Sequence, residues 1–152
     1  MEHKPVFDLQ AIADIQPVDT LPPMSREQRL KRWIALLEAD GNRELRSLQQ
    51  IEHLPKQESR AYRVENSPLT VAYEDPVLRA QGLNSDRVGD CVQFFEITDR
   101  QMHHAFCYCH VGQTLDANQA ARRLRSMLPR DSWIRDATRS LVDRIASFFA
   151  AR

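Results

Sequence analysis

Helix punctuation constrains this chain more than any other feature of its sequence. Ser25 with Gln28 forms a capping-box pattern, in which a hydroxyl and a carboxamide satisfy two otherwise unpaired amides. Leu30, Trp33, Ile34 and Leu37 then recur at helical spacing. Asp40-Gly41-Asn42 ends that helix, because Gly41 suits the left-handed position and Asn42 can cap the next helix. A second helix is expected from about Arg43 to His53, with Leu45, Leu48 and Ile51 inward, stopping before Pro55. Its short connection to the first favours antiparallel packing. Asp75-Pro76 supplies a cap and a first helical residue for a short helix closed by Gly82. Ser85 opens another with Val88, Cys91, Val92 and Phe95 on one stripe. Thr98 or Asp99 opens a helix to about Val111, ended by Gly112.

Thr114 precedes a helix whose inward positions are Ala117, Ala120, Ala121, Leu124, Met127 and Leu128, before Pro129 stops it. The final helix, about Asp131 to Ala150, carries Ile134, Ala137, Leu141, Ile145 and Phe148. Elements this short must bury their apolar stripes against one another. The expected fold is all-α: a small multi-helix bundle of about six to eight helices, with irregular connectors and a long C-terminal helix.

Two regions escape this grammar. Residues 56–74 can hold a short helix over Glu58 to Val64, and they break at Asn66-Ser67-Pro68. Leu69, Val71 and Tyr73 then alternate with Thr70 and Ala72, which suggests an extended connector. Residues 1–24 contain four of the eight prolines and four acids against one Lys, and read as a loosely ordered acidic arm. Within it Val6 to Ile15 is long enough for two helical turns, with Phe7, Ile12 and Ile15 apolar. The expected organisation is therefore an arm over 1–24 and one helical domain over 25–152.

Charge and composition narrow the function classes. The formal net charge is zero, so nucleic-acid binding lacks the basic excess that phosphate recognition requires. The N-terminal residues have neither a basic n-region nor a continuous apolar run, and no stretch reaches eighteen apolar residues. Three cysteines, an odd number, fit free thiols in a reducing compartment, and a cytoplasmic protein without a membrane span is expected.

The densest chemistry lies at Met102-His103-His104-Ala105-Phe106-Cys107-Tyr108-Cys109-His110, with three of the five histidines and two of the three cysteines. On one continuous helix, Met102, Ala105, Phe106 and Cys109 form the buried stripe, while His103, Cys107 and His110 share a second face. His103 and Cys107 (i, i+4) or Cys107 and His110 (i, i+3) can approach one ion. His103 and His110 sit roughly 10.5 Å apart along the axis of such a helix. A zinc or other transition-metal site there needs donors from elsewhere. The same face makes Cys107 the candidate redox-sensing thiol.

No Gly-rich phosphate loop, CxxC pair or HExxH motif is present, and the sequence points away from an enzyme. The leading expectation is a non-enzymatic module that binds another protein or regulates it. Its candidate surfaces are Phe7, Ile12 and Ile15 in the arm, and Arg122, Arg123 and Arg125 on the helix over 115–127. A His/Cys metal or thiol site is the alternative, and nucleic-acid binding through that Arg-rich helix is a second one, disfavoured by the neutral charge.

Overall fold

The Ser25 hydroxyl accepts from the Gln28 amide while the Gln28 carboxamide accepts from the Ser25 amide, and helix α1 (Arg26–Ala39) begins there. The computed structural model describes residues 22–129 except 50 and 52. The expected arm helix with Phe7, Ile12 and Ile15, and the expected C-terminal helix over 131–150, lie outside the described residues.

Leu30, Trp33, Ile34 and Leu37 all turn inward from α1. Trp33 is fully buried, stacks on Phe95 at 4.2 Å between centroids and tilts against Phe106 at 5.5 Å. Its indole N–H donates to the Pro68 carbonyl at 2.9 Å, so the largest core side chain leaves no orphaned donor. Arg32, on the outer flank of α1, makes a two-pronged hydrogen bond to the buried Asp75 carboxylate at 2.6 and 2.9 Å. Asp75 also accepts from the Leu78 amide at 3.1 Å and caps α4 (Pro76–Ala80), as the Asp-Pro pair predicts. The Arg32 guanidinium holds the Asp75 carboxyl below its usual range, against the opposing effect of burial.

The chain is mostly helical, but the expected second helix is absent. Residues Glu44–Arg46 form strand β1, paired antiparallel with strand β2 (Thr114–Asp116), and Leu45 sits opposite Leu115. Leu45, Leu48 and Ile51 are buried as the helical reading required. Three-residue spacing simply does not distinguish a helix from an extended segment that meets the core at intervals. The expected connector at 69–73 is corrected in the opposite direction. Ser67 caps the Thr70 amide, Pro68 occupies the first turn, and α3 (Pro68–Glu74) is helical. The alternation belongs to a short helix with Leu69, Val71 and Ala72 buried.

The remaining elements are α2 (Lys56–Ala61), α5 (Val88–Phe94), α6 (Asp99–Phe106), α7 (Tyr108–Val111) and α8 (Ala117–Arg125). The caps move slightly from their expected places: Arg87 rather than Ser85 precedes α5, and Asp116 rather than Thr114 caps α8 by accepting from the Gln119 amide. Ala117, Ala120, Ala121 and Leu124 are buried on α8, which packs along α1. The small residues let the two backbones approach closely. Among the described residues, no helix is long and apolar enough to cross a membrane.

Candidate metal centre

Thr98 and Gln101 form the capping box that starts α6, and Met102, Ala105 and Phe106 carry its buried side. The expected continuous helix to Val111 does not exist. It stops at Cys107, whose backbone is extended at φ −74° and ψ 142°. The cause is a distant segment. The Leu48 amide donates to the Phe106 carbonyl at 2.8 Å, and the Tyr108 amide donates to the Leu48 carbonyl at 2.7 Å. This parallel bridge between Leu48 and Cys107 takes hydrogen bonds that continued helix would have used. Helix geometry restarts as the single turn α7 and ends at Gly112, whose φ of 82° suits glycine.

The break resets the helical phase and exchanges the two cysteines. Cys107, expected off the core, is fully buried and donates its thiol to the Gln49 carbonyl at 3.5 Å. Cys109, expected on the buried stripe, is exposed. The structure therefore brings His103 and His110 together, but with Cys109 rather than with Cys107. One ligand atom from each of His103, Cys109 and His110 lies within 4.8 Å of the others. The long axial separation that a continuous helix imposes on the two histidines is removed by the bend.

One donor pair already stands at tetrahedral spacing, while the group as a whole spans up to 4.8 Å. Zinc bonds of about 2.0–2.1 Å to nitrogen and about 2.3 Å to sulfur place adjacent donors roughly 3.3–3.8 Å apart. Cys109 Sγ lies 3.4 Å from His103 Nε2 and 3.5 Å from Cys107 Sγ. The His103 and His110 rings stand nearly perpendicular with centroids 4.9 Å apart. His104 lies beside His110 at 4.4 Å, outside the three-donor group. Cys107 touches this group only through Cys109 and lies outside the three donors. No metal is needed to account for the fold around it, because its thiol already has the Gln49 carbonyl.

Arg123 holds the two halves of the bend together. Its guanidinium donates to the His104 carbonyl at 2.9 Å and to the His110 carbonyl at 3.1 Å, joining α6 and α7 to α8. His104, His110 and Arg123 also line a cleft of about 550 Å³ with Gln101. Arg125 pairs with Glu38 of α1, while Arg122 is exposed. Two of the three arginines on the expected partner surface thus make contacts within the described residues.

Cys91 is a useful contrast. It is fully buried in the core stripe, as expected, and burial, together with the nearby Asp86 and Asp90 carboxylates, pushes its thiol far above the ordinary range. It belongs to packing. Cys107 and Cys109 are the residues that periodicity misplaces, and no Gly or Pro marks the bend that exchanges them. The available signal is the Cys-x-Cys spacing, which brings two thiols together only where the backbone leaves the helix.

Comparison with protein families, curated proteins and solved structures finds no match for this chain.

Proposed function

We propose that this protein binds a transition-metal ion, with zinc the best fit, through His103, Cys109 and His110. The observation that carries the reading is the three-donor convergence within 4.8 Å at a bend between two helices. Imidazole and thiolate together favour zinc or a similarly borderline metal over magnesium or calcium, which prefer oxygen. Cys107, whose sulfur lies 3.5 Å from Cys109 Sγ, is the proposed fourth ligand and would have to leave the Gln49 carbonyl to serve as one. Four protein donors would make the site closed and structural, tying α6, α7 and the 47–49 segment into one unit. In this reading the helices around Trp33 form a small bundle, and the metal centre sits on its rim as a regulatory or partner-presenting element.

The test is metal retention by the full chain. Protein purified without chelators is assayed for bound elements, and the reduced, metal-free chain is titrated with cobalt(II), whose thiolate bonds absorb in the near ultraviolet. One equivalent with a sulfur-to-cobalt band is expected. Cys109→Ser and His103→Ala should each weaken retention by at least roughly tenfold, and Cys91→Ala should leave it unchanged. Because metal competes with protons for every donor, retention should also fall on acidification. A chain that binds no cobalt, or binds it equally well as Cys109→Ser, would overturn the assignment.

A further inference from the structure

We infer that Cys107 and Cys109 are a peroxide-oxidisable dithiol whose disulfide disables the metal site. The release of metal rests on the reading above, whereas formation of the disulfide stands on the thiol geometry alone. The two sulfurs are already in contact at 3.5 Å, and a disulfide requires about 2.05 Å. Their environments differ in a way that fixes the order of events. Cys109 is exposed and lies 3.4 Å from His103 Nε2, while Cys107 is fully buried behind it.

A hydroperoxide from solvent therefore meets Cys109 first. The Cys109 thiol is in hydrogen-bond contact with His103 Nε2. The sulfur attacks the peroxide oxygen, the O–O bond breaks, and the thiol proton leaves with the alcohol or water product. Cys109 is left as a sulfenic acid. The Cys107 sulfur attacks Cys109 Sγ, the S–O bond breaks, and the departing hydroxide takes the Cys107 proton as water. Two thiols and one hydroperoxide give one disulfide, one alcohol or water molecule, and one further water. The thiols lose two electrons and the peroxide gains them.

The buried position of Cys107 gives it the resolving role. The Gln49 carbonyl holds it next to the sulfenic sulfur without exposing it to a second peroxide. Once the disulfide forms, the proposed centre retains only His103 and His110, too few donors for a closed zinc site. Cys91, remote in function and buried, stays a thiol throughout.

The experiment uses the full-length, reduced, metal-free chain exposed to hydrogen peroxide with the sulfenic-acid trap dimedone present. Loss of two of the three thiols is expected, reversed by dithiothreitol, with no dimedone adduct on wild type. Cleavage after Tyr108 separates the two cysteines, so peptides still joined without reductant identify the bond. The Cys107→Ser variant should instead accumulate the dimedone adduct at Cys109, a readout that general loss of structure would not produce selectively. Three surviving thiols, equal trapping in wild type and variant, or only intermolecular disulfides would overturn the dithiol. In a parallel arm, cobalt-loaded protein should lose its sulfur-to-cobalt band on oxidation and regain it on reduction. Disulfide formation in a chain that never binds cobalt would support the dithiol and overturn the metal reading. Cobalt binding that survives complete disulfide formation would overturn the proposed disabling of the site.

Discussion

The two sides of residues 99–111 are built from opposite materials. Inward, Met102, Ala105, Phe106 and Cys107 are buried, and Phe106 closes against Trp33. Outward, His103, Cys109 and His110 gather titratable and metal-ligating atoms at the surface. The dry side carries the stability, through area removed from water and tight packing. The wet side contributes little to that packing. The backbone bend at Cys107 allows a single short stretch to serve both.

Removing the centre of the dry side should have the largest effect. Trp33→Ala deletes the stack on Phe95 and leaves the Pro68 carbonyl without its indole donor. A loss of about 3–5 kcal/mol is expected from the urea midpoint. A cost comparable to a surface substitution would show that Trp33 does not organise the core.

Asp75 tests the polar flank of the same core. Its carboxylate is 4% exposed while the Arg32 side chain is 37% exposed, so Asp75→Asn should cost about 1–3 kcal/mol, short of a fully buried pair. Arg32 holds the folded carboxyl below its usual range. The stabilisation is therefore present above the unfolded value of about 3.9 and fades as pH falls through the lower folded value. Melting curves from neutral to about pH 2 should converge for wild type and variant. A gap that persists into acid would remove the linkage.

Arg123 lies at the junction of the two sides. Arg123→Ala removes both carbonyl contacts across the bend, and about 1 kcal/mol of stability should be lost in the same denaturant assay. Cobalt retention should weaken as well, because the clamp positions His110. Unchanged retention would confine Arg123 to a structural role.

Local grammar is sufficient for much of the fold. The capping boxes at Ser25 and Thr98 and the Asp75-Pro76 start are interactions between residues close in sequence, and the alanine face of α8 is a local periodic pattern. The extended reading of 69–73 overlooks a local cap at Ser67, but the two failures that matter for the site share one cause. Leu45 is a strand residue because Leu115 supplies a partner, and Cys107 leaves the helix because Leu48 supplies backbone hydrogen bonds. Neither partner can be found from periodicity, and neither site carries a Gly or Pro that would announce a break. Sequence reasoning therefore locates the candidate site within a few residues but exchanges its cysteines, since one unseen bend shifts every later residue to another face.

The Leu48–Cys107 bridge also bears on how the chain matures. Cys107 and Gln49 are separated by 58 positions, so the thiol is sheltered only after a long loop has closed. Closure entropy grows slowly with loop length, and the native state tolerates the separation; the pairing itself belongs to the slower, non-local part of folding. His103, Cys109 and His110 are neighbours in the chain, yet their convergence depends on this distant docking. Synthesis proceeds from the N-terminus, so the 44–49 segment already exists when Cys107 emerges. The partner that turns one thiol inward and leaves the other outward is waiting before either is made.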